Sequence, residues 1–260
     1  MDIGVYGLGR FGSFWARLLA DRHSVRAYSR SRERRPPEGV ERVTENEILE
    51  LPVLFMCTSI SSFAEVMQRI GGRLSPGTTL MDTCSVKVYP VRVMKKHVPR
   101  QIEVLATHPM FGPDSAQEGV SGCPIVLCPV NITEQRVDFW TNFFRTLGLN
   151  VLRMNAHDHD FEAANTQGIT HYVGRVLADL GLKDSRISTL GYKKLLEIMA
   201  QTCNDPWQLF LDLQRYNPYT RKMRDRLNQS LSRIMAELES SIDTPIVEGY
   251  DNGESGRKNG

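Results

Sequence analysis

The chain is expected to be an α/β protein, with a doubly wound, mostly parallel sheet followed by an all-helical C-terminal region. Three observations predict this. Short apolar runs alternate with helical periodicity through the first half, a glycine-rich turn separates the first run from the first helix, and beyond about Asn155 strand-like alternation stops. Alternating strands and helices can cover a parallel sheet on both faces, whereas a strand-free segment must pack helix on helix.

The elements follow in order. Asp2 to Tyr6 reads as a strand, and Arg10 to Ala20 as a helix because Phe11, Phe14, Trp15, Leu18 and Leu19 recur at helical spacing. Ser24 to Tyr28 is a second strand, and further strands are expected at 53–57, 79–82, 103–106 and 125–128, with helices at 62–73 and 133–147 between or after them. In the second half, 161–180, 190–203, 207–216 and 219–240 read as helices. Leu227, Leu231, Ile234 and Leu238 form a stripe on the last of these, suited to core packing or to a dimer seam.

Composition narrows the function. The 260 residues are 41% hydrophobic and 24% charged, with a net charge of +2, which offers no concentrated basic face for nucleic acid or a membrane surface. No apolar run reaches the roughly 18 to 20 residues of a membrane span, and Met1-Asp2-Ile3-Gly4 lacks the features of a signal peptide, so a cytoplasmic protein is expected. Five cysteines without CxxC spacing argue against a disulfide framework or a zinc site, and most are expected to be small buried hydrophobes. His157-Asp158-His159-Asp160 invites a metal reading, but no further ligand cluster accompanies it, and no metal is expected. Asp158 and Asp160 read instead as acidic residues at a helix start.

Gly7, Leu8, Gly9, Arg10, Phe11 and Gly12 form a GxGxxG turn directly after the first strand and before the first helix. There a dinucleotide pyrophosphate can approach backbone amides at a helix N-terminus, which makes the fold Rossmann-like. An acidic residue at the end of the second strand would accept from a ribose 2′-hydroxyl, but the chain reads Tyr28-Ser29-Arg30-Ser31-Arg32, with Arg34 and Arg35 following. Ser29 and Arg30 offer a hydroxyl and a guanidinium where a 2′-phosphate would sit, so NADP is favoured over NAD. Arg32 to Arg35 read as a solvated loop.

The chemistry is expected at two strand ends. Asp82-Thr83-Cys84-Ser85-Val86-Lys87 follows one strand and Thr107-His108-Pro109-Met110-Phe111-Gly112-Pro113 another. His108, on the loop after its strand, is the candidate base that removes a hydroxyl proton as hydride leaves the same carbon. Ser85 is positioned to hydrogen-bond that hydroxyl, and it also reads as an N-cap for a helix beginning near Val86. In the helical half, Gln167, His171 and Arg175 recur at steps of four and so share one helix face; His171 is suited to donate to substrate or nicotinamide and Arg175 to grip a carboxylate.

With these residues in hand, the chain resembles the prephenate/arogenate dehydrogenase family, and most of all its plant-type arogenate branch. The likeness covers most of the chain and rests on Gly7 to Gly12, Asp82 to Lys87, Thr107 to Pro113, Gln167 to Arg175, and Thr189-Leu190-Gly191-Tyr192-Lys193-Lys194-Leu195-Leu196 with Asp205 to Asn217. It implies oxidative decarboxylation of a cyclohexadienyl carboxylate in tyrosine biosynthesis, with hydride passing from C4 to NAD(P) and carbon dioxide lost as the ring becomes aromatic. It also implies His108 as base, Ser85 as hydroxyl partner, His171 at the junction of substrate and nicotinamide, and a homodimer through the helical domain. The arginine that many bacterial members carry later in the helical domain has no matching motif, leaving Arg175, Lys193 or Lys194 for the carboxylate. Preference for arogenate needs an acidic or carbonyl partner for its amine, and Asp114, Asp158, Asp160 and Glu162 are available.

The expected organisation is a dinucleotide-binding domain over 1–154, a helical substrate and dimerisation domain over 155–245, and a disordered polar tail over 246–260. The alternatives are a dehydrogenase for another cyclohexadienyl substrate, such as an amino-substituted prephenate, one for a hydroxyacid, against which the His-Pro-Met segment speaks, and a non-catalytic NADP-binding sensor, against which the polar residues of the cleft speak.

Overall fold

The structure is a computed structural model in which residues 1–240 are described. Among them eight strands form one sheet: β1 (Asp2–Tyr6), β2 (Ser24–Tyr28), β3 (Val40–Arg42), β4 (Val53–Met56), β5 (Thr79–Asp82), β6 (Glu103–Pro109), β7 (Pro124–Asn131) and β8 (Asn150–Arg153), in the order β3-β2-β1-β4-β5-β6-β7-β8. β1 to β6 pair in parallel, β7 is antiparallel to β6, and β8 is parallel to β7. The first six strands have the order of a doubly wound dinucleotide fold, which reverses direction between β1 and β4 and opens a crevice beyond their carboxyl ends.

Helices α1 (Arg10–Ala20), α2 (Glu45–Leu49), α3 (Ile60–Ile70), α4 (Val88–His97) and α5 (Glu134–Thr146) belong to this sheet region. They cover it through two apolar clusters. One gathers Trp15, Leu19, Phe55, Trp140 and Phe144; the other gathers Ile48, Leu54, Phe63, Met67, Leu80, Met94 and Ile102. Trp15 meets Phe55 edge to face at 5.6 Å between ring centroids, which ties α1 to the middle of the sheet. Full burial of such a side chain contributes about 1.5–3 kcal/mol, so the strands that carry the site residues are firmly held.

Two strands absent from the expectation are β3 and β8. β3 offers a single buried valine in three residues, and β8 (Asn-Val-Leu-Arg) lies at the sheet edge largely exposed, so neither carries the apolar alternation from which strands are read. Backbone pairing with β2 and β7 defines them instead.

After β8 the described chain is helical throughout: α6 (Ala156–Ala163), a π-helical turn at Ala164–Gly168, α7 (Ile169–Asp179), α8 (Leu190–Cys203), α9 (Trp207–Tyr216) and α10 (Thr220–Ser240). Asn155 starts α6 by accepting from the amides of His157 and Asp158, and Thr189 starts α8 by accepting from Tyr192. No described helix is long and apolar enough to cross a membrane. Met1–Arg221 form one compact unit and the chain from Lys222 belongs to a second. In that second part Leu231, Ile234 and Leu238 are exposed. The expected tail, 246–260, lies outside the described residues.

Candidate active site

The glycine turn is shaped by backbone contact. Gly7 has φ +111°, and a Cβ there would lie 2.5 Å from the Cys57 carbonyl oxygen at the end of β4; at Gly12 it would lie 1.9 Å from the Gly7 carbonyl oxygen. Both positions therefore demand glycine. Gly12→Ala is expected to push α1 away from β1 and to abolish dinucleotide binding; a titration in which the variant binds like the parent would reject this account. Gly9 differs, because a Cβ there would meet only Arg34 Nη1, at 3.2 Å, among described atoms. Gly9 is also the N-cap of α1, which has no side-chain cap and no acidic residue in its first turn. An uncapped positive helix end beside an open glycine fits a dinucleotide pyrophosphate. Thr58, just past β4, adds a buried hydroxyl that has no hydrogen-bond partner in the structure. The glycine motif directed the sequence reading to β1, so this residue on the neighbouring strand was passed over.

Beyond β2, Ser29 is buried and Arg30 is exposed, with no acidic residue at the strand end. Arg32 to Arg35 are exposed, as expected of a solvated loop, but Arg34 Nη1 also donates to the Leu8 carbonyl at 3.0 Å and so folds back onto the glycine turn.

His108 lies within β6 rather than on the loop after it, opposite Val126 of β7. The extra strand length comes from the antiparallel partner, whose pairing carries β6 through Pro109. His108 is buried, and its Nδ1 is 2.8 Å from His159 Nε2; His159 Nδ1 is in turn 2.8 Å from Asp160 Oδ1. Asp160 also accepts from the Lys87 and Val88 amides, at 2.6 and 2.9 Å. A carboxylate only accepts, which places the proton of His159 on Nδ1 and leaves its Nε2 to accept from His108 Nδ1–H. The free electron pair of His108 then resides on Nε2, where it can take a proton. Burial first, then the neighbouring His159 and Lys87, holds the His108 pKa well below the ordinary histidine value.

This arrangement corrects two expectations. α4 begins at Val88, and its first amides are taken by Asp160 from α6, so Ser85 is not its N-cap. Asp160 is thus a partner to a neighbouring helix and to His159, rather than an acidic residue serving its own helix start. Ser85 Oγ is buried and without a partner, which leaves it available for a ligand hydroxyl. His159 and Asp160 were missed as a relay because only the fold carries them from the helical half to β6; their adjacency to a helix start was the available signal.

A second buried group lies beneath the strand ends. Lys87 is fully buried, and its ammonium donates to Asp82 Oδ2 and to the Thr107 carbonyl. Asp82 accepts in addition from the Cys84 amide at 3.0 Å and the Thr107 amide at 3.3 Å. One ion pair thereby joins the segment bearing Ser85 to the strand bearing His108.

The three polar residues of the helical half do not share one regular helix. Gln167 lies in the π-helical turn, while His171 and Arg175 are four apart on α7. The wider turn inserts an extra residue's worth of rotation, so spacing alone misjudges where Gln167 points; such turns often mark functional sites. Gln167 Oε1, His171 Nδ1 and Arg175 Nε are all buried without a partner. Burial lowers the His171 pKa, opposed by Asp205 and reinforced by Arg175. Arg175 donates to the Asp205 carbonyl at 2.6 Å and lies over the rings of Trp207 and Phe210. Arg10 of the glycine turn pairs with Asp114 and with Asp205, the latter at 3.3 Å, and so connects the dinucleotide turn, the segment after β6 and the turn before α9.

Unpaired buried polar groups cost about 1–3 kcal/mol each, and Ser85, Gln167, His171 and Arg175 are among those that carry one. The model of the "Prephenate dehydrogenase, nucleotide-binding domain" matches residues 21–153, half of the chain, and that of the "TYRAAT1-like, C-terminal domain" matches 176–248. "Arogenate dehydrogenase 2, chloroplastic" of Arabidopsis thaliana is 33% identical over 250 residues, spanning 92% of this chain and 70% of that one. The chain belongs to the prephenate/arogenate dehydrogenase family. "Arogenate dehydrogenase 1, chloroplastic" of the same plant is 32% identical over 92% of this chain, which spans 39% of that longer relative. Among solved structures, Synechocystis arogenate dehydrogenase superposes with a TM-score of 0.67 at 20% identity, covering 92% of each chain. Prephenate dehydrogenase from A. aeolicus, in complex with hydroxyphenyl propionate and NAD+, does so with 0.71 at 17%, again over 92% of each. These two likenesses establish the dehydrogenase fold. As a member of this family the chain is an NAD(P)-type dehydrogenase of a small molecule.

Proposed function

We propose that the protein carries out NADP-dependent oxidative decarboxylation of arogenate, with prephenate as the alternative substrate, in tyrosine biosynthesis. The observation that carries the reading is the His108–His159–Asp160 chain, together with an unpartnered Ser85 hydroxyl two residues from the Lys87 amide that Asp160 binds. Ser85 hydrogen-bonds the C4 hydroxyl and directs its proton to His108 Nε2. The nicotinamide supplies the hydride acceptor. As the hydride leaves C4, His108 takes the hydroxyl proton and His159, bonded through Asp160, stabilises the charge that develops on His108. The resulting C4 carbonyl accepts the electron pair of the breaking carbon–carboxylate bond, carbon dioxide departs, and reprotonation of the oxygen gives a phenol.

Arg175, stacked on Trp207 and Phe210, is the proposed grip for a substrate carboxylate, with Gln167 and His171 completing the polar wall. Arogenate is favoured on the likeness to the plant arogenate dehydrogenases; Asp205, whose charge acts on His171, is itself paired with Arg10. Of the acids considered from sequence, Asp160 is engaged with His159 and the start of α4, and Asp114 with Arg10. Ser29 and Arg30 are the proposed partners of the 2′-phosphate, and exposed Leu231, Ile234, Met235 and Leu238 on α10 are suited to a homodimer seam.

The test crosses arogenate and prephenate with NADP+ and NAD+ in steady-state formation of reduced cofactor, with light scattering on the same preparation. Turnover is expected to be highest with arogenate and NADP+ in a dimer. Preference for prephenate would reject the substrate, preference for NAD+ the cofactor, and a monomeric mass the seam.

A further inference from the structure

We propose that Arg34 is a second cation for the ribose 2′-phosphate and that Arg42 on β3 holds it in place, so that together they select a nucleotide bearing that phosphomonoester. The inference rests on the NADP reading above and adds two residues to it.

The ends of β1 and β2 are tied by the Gly7 amide, which donates to the Tyr28 carbonyl at 2.8 Å. Arg34 crosses between the segments that follow these strands. Its Nη1 donates to the Leu8 carbonyl at 3.0 Å and comes so near Gly9 that a Cβ there would lie 3.2 Å away. The guanidinium therefore rests on the glycine turn from the side of the segment after β2, where a 2′-phosphate would arrive. Arg42 fixes that segment from below. Its Nη2 donates to the Ser29 carbonyl at 3.1 Å and the Ser31 carbonyl at 3.0 Å, and its Nη1 donates to the carbonyl of Arg34 itself. Only a planar, forked donor bridges three carbonyls in this way.

Charge supplies the second argument. Arg26, Arg69 and Arg73 in the same part of the fold each pair with a glutamate. Among the described residues neither Arg34 nor Arg42 has a carboxylate within ion-pair distance; their recorded hydrogen-bond partners are neutral carbonyls. The Arg42 guanidinium meets the Arg34 backbone without a carboxylate, Arg30 is exposed on the same segment, and a phosphate dianion offsets such charge through charge-assisted hydrogen bonds.

The experiment compares calorimetric binding of 2′,5′-ADP and 5′-AMP to the intact protein, probes that differ in the 2′-phosphate. The parent protein is expected to bind 2′,5′-ADP at least about tenfold more tightly. Arg34→Gln is expected to lose most of that ratio while its affinity for 5′-AMP and its melting temperature stay near those of the parent. Arg42→Lys, whose ammonium cannot span three carbonyls, should reduce the ratio in the same direction. An unchanged ratio in Arg34→Gln would overturn the role of Arg34 with the NADP reading intact. Equal weakening of both probes would reassign Arg34 to the 5′-phosphate and also overturn the proposal. A parent that does not distinguish the probes would defeat the NADP reading and this inference with it.

Discussion

Replacing His108 with asparagine is expected to lower turnover by roughly 10²-fold or more, because the side chain keeps a hydrogen-bonding group but can no longer take a proton. His108 is buried, and the base acts in its neutral form, so activity is present above its pKa and is lost as pH falls through it. Burial, His159 and Lys87 all depress that pKa below the ordinary histidine value. The acid limb of kcat/KM in the parent protein should therefore lie below pH 6.5, the ordinary histidine value, and the variant should lack it. Asp160→Asn should act through His159, with a smaller loss of turnover, since the imidazole of His108 remains. Steady-state profiles between mildly acidic and neutral pH check both. An His108→Asn variant with near-parent turnover, or one that retains the acid limb, would remove His108 from the role of base.

The largest effect on stability is expected from Lys87→Met. Lys87 and Asp82 are both fully buried and bonded to one another, and methionine would leave the Asp82 carboxylate stranded beneath the strand ends. Breaking one side of such a pair typically costs about 3–5 kcal/mol, which in a chain of this size lowers the melting temperature by roughly 10 °C. Because the ammonium also holds the Thr107 carbonyl next to His108, turnover should fall with it. The double variant Asp82→Asn with Lys87→Met removes both charges and is expected to recover part of the loss, which a double-mutant cycle on thermal melts would measure. A melting temperature for Lys87→Met within a degree or two of the parent would show that the pair contributes little.

Much of this was legible in the residues. The glycine turn after β1 and the helical spacing of Phe11, Trp15 and Leu19 report local geometry, which short stretches of chain encode directly. The doubly wound sheet follows from alternation, and Ser85 and His108 could be named because strand ends in such a sheet converge on one crevice. The edge strands β3 and β8 were not legible, since their definition comes from the neighbour they pair with. The contact of Arg34 with the glycine turn was hidden for a related reason: nothing local in a run of exposed arginines shows which of them the fold lays against another segment.

By itself, then, the sequence determined the fold class, the glycine turn, the family likeness and which side chains are candidates for the chemistry, because each depends on spacing within a few residues or on a motif contiguous in the chain. Tertiary structure alone decided what those side chains contact. His159 and Asp160 reach His108 from the far half of the chain, Asp160 rather than Ser85 starts α4, Lys87 is buried against Asp82 under both strand ends, and a π-helical turn separates Gln167 from the register of His171 and Arg175. Tautomer, pKa and charge compensation are set by what lies within a few ångströms in space, and in an α/β protein those neighbours come from segments far apart in sequence.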